Sequence, residues 1–500
     1  MKKESLNVVI VTPEMVPFSK VGGLADVIGA LPDEISSLGC TVRIFTPLYN
    51  SIDRDKFNIT STGIENLEIP VGGVKRTAEL YSAKKPDTDI DVFFIYNSEY
   101  YDREGVYYKP ETGEAYDDEP ERTVFFNRSV IEAIKKLDLH PDILHCNDFH
   151  TGLIPAYIAL EEEGEEHFDN AGTVFSIHNM AYQGNFDKDF IETAGIDPSQ
   201  FYPMSPFEYW GGVNVMKIGI MYAGVVSTVS ETYAEEIKSS ERYGHGMEGI
   251  LRDREKSVIG ILNGIDTDIW NPAKDPLIEA KYTPENLEGK KSNREALLKE
   301  YDLESDSGTP VVGIVSRLVD QKGFDIIAEG IDEIMKLELK LVILGTGQEK
   351  YHKLYRKLQK KYPEKLGLKL EYDNRMAHLI EAGSDFFLMP SRYEPCGLNQ
   401  MYSLSYGTIP VVRATGGLKD TVNNLSHKGR RGNGFIFRDY SSEALVDTLR
   451  KAVEFFEDED AVERVRKRIM KEDHSWKNSA GKYMEMYRKA VGKNGLMLTN

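Results

Sequence analysis

Short apolar runs alternate with longer amphipathic stretches along almost the whole chain. The runs have the length of buried strands, and the stretches between them, such as 25–38 and 324–337, have helical spacing. This alternation is typical of parallel sheets covered by helices on both faces. We therefore predict an α/β fold with strands at 7–12, 42–46, 91–96, 142–146, 173–177, 225–229, 311–315, 341–345, 368–372, 386–389 and 409–412.

The pattern also predicts two domains. A chain of 500 residues favours more than one core, because single cores rarely grow beyond about 300 residues. We place a first domain at 1–257 and a second at 258–475, followed by a helix at about 476–491. The irregular stretch 98–122 is expected to be a long surface loop near the functional edge of the first domain. The last helix carries four large apolar residues at helical spacing, namely Tyr483, Met484, Met486 and Tyr487.

Charge and cysteine content exclude several classes of function. The net charge of −20 opposes binding of nucleic acid or acidic membranes, because the overall field repels polyanions. No stretch approaches the ~18–20 apolar residues of a membrane span, and we recognise no signal peptide. Three cysteines without a C-x-x-C pair suggest neither a disulfide framework nor a zinc site. We expect a cytoplasmic protein, and nothing in the sequence specifies an oligomeric state.

Two glycine-rich turns follow predicted strands. In the first, Lys20 precedes Gly22 and Gly23 at the start of a helix, with Asp26 one turn further on. Glycines at a helix start let the backbone approach an anion, and a lysine adds charge, which suits the phosphates of a nucleotide. The alternative is a tight turn with a solvated lysine. The second turn, Thr415-Gly416-Gly417, favours two α/β domains that face one ligand.

Polar residues also follow most of the other strands, where ligands of parallel sheets bind. In the first half, Asp148 with His150 and His178 with Asn179 suit hydrogen bonds to sugar hydroxyl groups. In the second half, Arg317 and Lys322 suit a diphosphate. The alternative for Arg317 is a structural ion pair with a carboxylate.

Glu394 precedes the turn Pro395-Cys396-Gly397-Leu398 into a helix. Its carboxylate suits a sugar hydroxyl or a proton-transfer role, and the backbone amides at 396–398 suit an anion. The alternative is that Glu394 caps the helix. The spacing of His145 and His150 is not a usual one for two metal ligands. Cys396 has no assigned histidine partner that would support a role as a nucleophile. We therefore expect no metal and no cofactor.

Together, six motifs resemble bacterial glycogen synthase and plant starch synthase, in order from about residue 7 to 490. The resemblance implies a GT-B fold, in which two Rossmann-like domains flank a cleft and the last helix packs back on the first domain. It implies retaining transfer of glucose from ADP-glucose to the non-reducing end of an α-1,4-glucan such as glycogen. The six motifs are Lys20–Leu24, His178–Gly184, Leu262–Asp266, Ser316–Leu318 with Gln321–Gly323, Glu394–Leu398 and Thr415–Leu418.

The resemblance also assigns roles to residues by matched position. Catalytic roles are implied for Glu394, Arg317, Lys322, His178 and Asp148. Binding of the donor and of its glucose is implied for Lys20, Gly22, Gly23, Asp26, Tyr101, Asn179, Asn263, Cys396, Gly397, Leu398, Thr415, Gly416 and Gly417.

Two alternatives stay open. One is another GT-B glucosyltransferase that uses UDP-glucose, although sucrose- and trehalose-type synthases lack the Lys-x-Gly-Gly-Leu turn. The other is a catalytically silent glucan-binding protein, although the basic and acidic residues named above are all present.

Three positions depart from the family pattern. Many bacterial members have Thr at the positions of Val21 and Asn399 in this chain, and related glycosyltransferases often have a second Glu at the position of Tyr402.

Overall fold

The computed structural model describes residues 5–491, except 111, 163 and 307. The strands are β1 (Asn7–Val11), β2 (Thr41–Pro47), β3 (Thr60–Val71), β4 (Val74–Lys84), β5 (Asp91–Tyr96), β6 (Ile143–Asn147), β7 (Gly172–Ile177), β8 (Asn185–Phe186), β9 (Val213–Asn214), β10 (Val225–Thr228), β11 (Val258–Gly260), β12 (Val311–Val315), β13 (Lys340–Leu344), β14 (Leu366–Lys369), β15 (Phe386–Met389), β16 (Ile409–Arg413) and β17 (Phe435–Phe437).

Helices separate most of these strands. They are α1 (Gly23–Ser37), α2 (Ser98–Tyr101), α3 (Glu119–Lys136), α4 (Ile154–Leu160), α5 (Phe190–Ala194), α6 (Val215–Tyr222), α7 (Glu231–Ser239), α8 (Glu241–Gly244), α9 (Glu248–Asp253), α10 (Glu288–Glu300), α11 (Phe324–Ile334), α12 (Glu349–Lys361), α13 (Asn374–Gly383), α14 (Asn399–Ser405), α15 (Gly416–Thr421), α16 (Ser442–Phe456), α17 (Glu459–Ile469) and α18 (Trp476–Ala490). Among the described helices, none is both long and apolar enough to cross a bilayer.

The chain divides into two compact units. Of the described residues, the first unit holds those up to Val229, Ala234–Ile261 and those from Ser479 onward, and the second holds Ser230–Tyr233 and Leu262–Asn478. The first unit is built on a nine-stranded sheet in the order β11-β10-β7-β6-β1-β2-β5-β4-β3. Its strands from β11 to β5 are parallel, and β4 and β3 extend it as an antiparallel pair.

The second unit contains a six-stranded parallel sheet in the order β14-β13-β12-β15-β16-β17. Successive residues of β13 enter different cores. Leu341 and Ile343 pack with α11 and α16, whereas Val342 and Leu344 pack with α10 and α13. Burial on both faces explains why these strands are continuous apolar runs in the sequence. The predicted α/β architecture with two parallel sheets is confirmed.

The antiparallel hairpin β3–β4 is a feature that the sequence prediction missed. The sequence predicts no strand between residues 46 and 91, and the hairpin shows that this prediction is wrong. Both strands alternate between exposed and buried residues, so they contain no continuous apolar run. They are joined by Gly72 and Gly73, which both have positive φ angles, as a two-residue hairpin turn requires. The Gly-Gly pair between alternating segments was the available signal.

Two further expectations are corrected. The first unit continues to Ile261, four residues beyond the predicted boundary at 257/258, because β11 pairs in parallel with β10. The stretch 98–122 is not entirely a surface loop. It begins with α2 and ends in α3, and Tyr100 and Tyr101 are almost fully buried.

The last helix contributes to the first unit from Ser479 onward. Its residues Tyr483, Met484, Met486 and Tyr487 are all buried. The Tyr487 hydroxyl lies 2.9 Å from Nδ1 of His145 on β6, and the Met484 sulfur lies 3.4 Å from the Cys40 sulfur. The apolar stripe of α18 is thus core packing of the first unit.

Candidate active site

The glycine turn after β1 is held by a carboxylate that the sequence analysis did not single out. Glu14 is buried, and its side chain accepts hydrogen bonds from the backbone amides of Val21 and Gly22. Burial raises the pKa of Glu14 to about 7. These two amides are therefore engaged in this structure rather than open to an anion. The signal in the sequence was an acidic residue between the first strand and the glycine turn.

Lys20 and Asp26 form an ion pair on the same turn. Nζ of Lys20 lies 2.7 Å from Oδ1 of Asp26, and the lysine side chain is 45% exposed. The pKa of Asp26 is raised, because burial outweighs the opposing effect of Lys20. The turn thus exposes the positive charge of Lys20 to solvent, and Asp26 fixes its position. Such a charge can form a hydrogen bond with an anion.

Asp148 joins the ends of β6 and β7. Its backbone has a φ of 56°, and its carboxylate accepts a 2.8 Å hydrogen bond from the amide of His178. The amide of Asn179 also donates to Asp148, yet burial dominates and raises the pKa of Asp148 to about 7. The charge of Glu14 raises it further, so the two carboxylates lie within electrostatic range. The Asn179 side chain accepts from the amide of Ala181 and so shapes the same loop.

The position of the proton on the His178 ring follows from its contact with Asn147. Nδ2 of Asn147 donates to the carbonyl of Val11 at 3.0 Å, so Oδ1 of Asn147 is the atom that faces Nε2 of His178 at 2.9 Å. Burial lowers the pKa of His178 to about 3, and the ring is neutral. Its Nε2 carries the proton, and its Nδ1 is left as an acceptor for a hydroxyl group.

A recess beside these residues contains buried polar atoms without partners. It is lined by Tyr101, Tyr107, Arg122 and His150, among others. The Tyr101 hydroxyl, Nε of Arg122 and Nδ1 of His150 are buried and have no hydrogen-bond partner in the structure. Such atoms are rare in folded proteins and often mark a site that binds water or ligand. Tyr107 and Arg122 were not among the predicted site residues.

Replacing Asp148 with Asn should make the protein more stable at high pH. The folded-state pKa of about 7 lies above the unfolded value, so the folded protein binds the extra proton and wild-type stability falls as pH rises through this window. Asparagine carries no such penalty. We expect the unfolding temperature of Asp148→Asn to exceed that of wild type by several degrees at pH 8, with no difference near pH 4. Exposed Asp169→Asn is the control, and an equal shift at both pH values contradicts the explanation.

In the second unit, the loops after β12 and β15 bring a lysine and a glutamate together. Nζ of Lys322 lies 2.8 Å from Oε1 and 2.7 Å from Oε2 of Glu394. Ser391 donates a third hydrogen bond to this carboxylate at 2.8 Å. Glu394 therefore does not cap α14, whose N-cap residue Leu398 has no side-chain cap either. Arg317 is exposed and lies on the same loop as Lys322.

Backbone packing fixes this pair. The amide of Arg392 donates to the carbonyl of Gln321 at 2.8 Å. Gly323 has a φ of 80°, and a Cβ there would lie 2.2 Å from the carbonyl oxygen of Pro390. Only glycine permits this approach, so the turn that ends in Gly323 sets the position of Lys322 against the β15 loop.

The second glycine turn packs against the same segment. The amide of Gly417 donates to the carbonyl oxygens of Glu394 and Pro395 at 3.3 and 3.2 Å. A Cβ at Gly416 would lie 1.9 Å from the Glu394 carbonyl oxygen, and one at Gly417 would lie 2.1 Å from the Cys396 carbonyl oxygen. These glycines are therefore required for close packing, and the Gly417 amide is engaged within the protein. Thr415 is the N-cap residue of α15.

Asn263, Cys396 and Gly397 complete this group of loops. Oδ1 of Asn263 is buried without a partner, and the Asn263 backbone forms a hydrogen bond to the Cys396 thiol. Burial raises the pKa of Cys396 to about 12, which opposes the reactive thiolate that a nucleophile needs. Gly397 has a φ of 72°, so it forms a tight turn ahead of α14.

Of the three positions that depart from the family pattern, Tyr402 and Asn399 make structural contacts, whereas Val21 is partly exposed. The Tyr402 ring stacks on Trp270 with centroids 3.8 Å apart. Trp270 stacks in turn on His378 at 3.9 Å. Nδ2 of Asn399 donates to the carbonyl of Val315 at 2.9 Å and ties α14 to β12. Val21 is 43% exposed beside Lys20.

The metal alternative at His145 does not fit the structure. Both ring nitrogens of His145 are engaged, Nδ1 with Tyr487 at 2.9 Å and Nε2 with Ser176 at 2.6 Å. Burial lowers its pKa to about 3. His145 is therefore a neutral core residue, and no nitrogen is left to share a metal with His150.

Comparisons with known proteins agree with this layout. The sequence profile of the starch synthase catalytic domain matches residues 7–253, and that of glycosyl transferases group 1 matches residues 299–471. The glycogen synthase of Pseudothermotoga lettingae is 41% identical over 98% of this chain and 99% of its own length. That of Thermotoga maritima is 40% identical over 98% of this chain and 100% of its own.

Solved structures show the same relationship. The catalytic domain of starch synthase IV from Arabidopsis thaliana, bound to ADP and acarbose, superposes with a TM-score of 0.88 at 32% identity over 97% of this chain and 99% of that one. This likeness confirms the predicted GT-B fold class. A sucrose-phosphate synthase from Thermosynechococcus elongatus has a TM-score of 0.55 at 13% identity, covering 97% and 98% of the two chains, and shares the fold alone. The chain belongs to the glycogen synthase and starch synthase family of glucosyltransferases.

Proposed function

We propose that this glucosyltransferase moves glucose from ADP-glucose to the non-reducing O4 of an α-1,4-glucan, with retention of configuration. The observation that supports it most is the contact of Lys322 with both oxygens of Glu394, at the carboxyl edge of the second sheet. Arg317 stands on the same loop. Two cations on one loop suit a leaving diphosphate, whose negative charge grows as the glycosidic bond breaks.

In the proposed step, the bond between C1 of glucose and the phosphate oxygen breaks, and its electron pair leaves with ADP. The O4 hydroxyl of the glucan attacks C1 from the same face. Its proton passes to the departing phosphate oxygen, so atoms and charges balance without a separate base. Arg317 and Lys322 stabilise the departing phosphate, and Glu394 holds the Lys322 ammonium by its two hydrogen bonds.

Strand-end residues of the first unit suit hydrogen bonds to a sugar. Neutral His178 has Nδ1 as an acceptor for a hydroxyl group, as its contact with Asn147 indicates. Asp148 offers a carboxylate at the adjacent strand end. Lys20 supplies a positive charge that suits a phosphate group. Within the second unit, the buried Oδ1 of Asn263 has no partner and suits a hydroxyl group. We retain Tyr101 as a binding residue because its hydroxyl has no partner in the recess.

The proposal specifies ADP-glucose, rather than UDP-glucose, as the donor. A family member bound to ADP supports an adenine nucleotide. The test is a transfer assay with ADP-glucose and UDP-glucose, each with a glucan primer, in which nucleotide release and primer elongation are both measured. We expect faster release from ADP-glucose, accompanied by elongation. Preference for UDP-glucose would contradict the donor assignment, and binding of glucan without nucleotide release would favour a silent glucan-binding protein.

We further propose that the protein acts in the cytoplasm on nucleotide sugar and glycogen. The three cysteines are all free and buried, which suits a reducing compartment. A neutral glucan is compatible with a chain of net charge −20, because it carries no charge to be repelled.

Catalysis should need neither a metal nor the Cys396 thiol. We expect Cys396→Ser to keep most of the activity, because burial disfavours the thiolate and the residue contributes through its backbone. Activity should also persist in excess EDTA, since Arg317 and Lys322 take the part that a divalent cation has in other phosphate transfers. Both are measured as kcat for glucosyl transfer. Complete loss in EDTA, or in a Cys396→Ser variant that unfolds at the wild-type temperature, contradicts these roles.

A further inference from the structure

Three potential metal ligands meet at the surface of the first unit, in connections that enter the amino ends of its strands. They are Asp138, His140 and His167, and their ligand atoms all lie within 4.8 Å of one another. Nε2 of His140 lies 3.3 Å from Oδ1 of Asp138, and Nε2 of His167 lies 3.5 Å from the same oxygen. The two imidazole rings are nearly parallel, with centroids 4.9 Å apart.

Glu165 fixes the orientation of one of these ligands. Its Oε1 lies 3.0 Å from Nδ1 of His167. In the neutral ring, this contact places the proton on Nδ1, which leaves the lone pair of Nε2 pointing at the Asp138 carboxylate. Two acceptors then face each other, and a cation between them would resolve the repulsion. A histidine whose second nitrogen donates to a carboxylate is the usual arrangement around protein-bound metals.

The distances fit such an ion better than they fit direct contacts. Separations of 3.3 and 3.5 Å are long for a hydrogen bond between an imidazole and a carboxylate, which is ordinarily about 2.7–3.0 Å. A tetrahedral zinc ion with bonds of about 2.0–2.1 Å keeps its ligand atoms about 3.3–3.5 Å apart. We propose that Asp138, His140 and His167 form a zinc site, with Glu165 orienting His167 and water as the fourth ligand.

The topology makes this a structural site rather than a catalytic one. Asp138 and His140 lie in the connection between α3 and β6, and His167 lies in the connection that leads into β7. Both connections enter the amino ends of parallel strands, whereas Asp148 and His178 follow the carboxyl ends of the same two strands. Bound zinc would link these two connections across the sheet edge, so it should stabilise the first unit without changing glucosyl transfer.

The test uses the full-length protein without an affinity tag, stripped with EDTA and dialysed free of the chelator. Zn²⁺ is then titrated by calorimetry, and Co²⁺ is added separately to record its visible d–d absorption. We expect one equivalent of Zn²⁺ to bind with a micromolar Kd, tetrahedral Co²⁺ absorption, and a zinc-dependent rise in unfolding temperature. The kcat for glucosyl transfer should be equal in the stripped and zinc-loaded protein.

Variants separate this site from nonspecific binding. His140→Ala and His167→Ala should each weaken Zn²⁺ binding by roughly 100-fold or more and abolish the Co²⁺ absorption, and Glu165→Gln should weaken binding by roughly 10–100-fold. His427→Ala removes an exposed histidine of the second unit and should bind as wild type does. Unfolding temperatures without metal confirm that each variant is folded. A Kd above the millimolar range, or equal binding by wild type and His167→Ala, would overturn the proposal and leave His167 as a residue that pairs only with Glu165 and Asp138.

Discussion

Replacing Lys322 with alanine is expected to lower kcat for glucosyl transfer by roughly 10²–10³-fold while leaving the fold intact. Its ammonium donates two hydrogen bonds to the Glu394 carboxylate and acts in the proposed step on the departing diphosphate. Arg317→Ala, on the same loop, should have an effect of the same order. Initial rates at saturating donor and glucan measure it.

Lys350, on α12, provides a matched control. Lys350 forms a 2.6 Å ion pair with Asp320 on the loop that carries Lys322, and both side chains are about half exposed. Lys350→Ala therefore removes a positive charge from the same neighbourhood and should leave kcat within a few-fold of wild type. If Lys322→Ala and Lys350→Ala behave alike at normal thermal stability, the role assigned to Lys322 is wrong.

The second large effect is expected at Glu394. Glu394→Gln keeps the shape of the side chain and an oxygen for Ser391, but removes the charge that holds Lys322. We expect kcat to fall by roughly 10²-fold or more, because the cation is no longer fixed where negative charge develops. Glu394→Ala should also lower the free energy of unfolding, by about 1–3 kcal/mol, since it leaves the partly buried ammonium without its partner.

Glu333→Gln provides the comparison. Glu333 pairs with Lys336 at 2.5 Å on the exposed surface of the second unit, where water and salt screen an ion pair so that it contributes little to stability. Its loss should change neither kcat nor stability appreciably. Full activity of Glu394→Gln would mean that the charge of Glu394 is not required, and the mechanism would then need another means of fixing Lys322.

The sequence predicted the parallel strands other than the short β11 and β17, because burial on both faces makes most of them apolar runs. Strands β12 and β15 have the predicted bounds, Val311–Val315 and Phe386–Met389. The β3–β4 hairpin was missed because its strands expose alternate residues, so the sequence contains no apolar run there. Periodicity thus reports how a strand is buried more directly than whether a strand exists.

The candidate site was predictable in its residue types but not in its contacts. Strand-end positions and family motifs pointed to Lys322 and Glu394, yet their pairing joins loops 72 residues apart and depends on packing at Gly323 that no local pattern encodes. The glycine turn after β1 was predicted to offer its amides to an anion. The structure instead satisfies two of them with Glu14, an interaction that only the folded backbone brings about.

The most direct measurement of the central claim is the anomeric configuration of the new bond. The protein is incubated with ADP-glucose carrying ¹³C at C1 and with a short α-1,4-glucan, and the product is examined by NMR before any secondary hydrolysis. The account predicts an α-anomeric signal from glucose joined to O4 at the non-reducing end. A β-linked product would contradict the retaining same-face mechanism, and labelled free glucose without any new linkage would contradict transfer to a glucan.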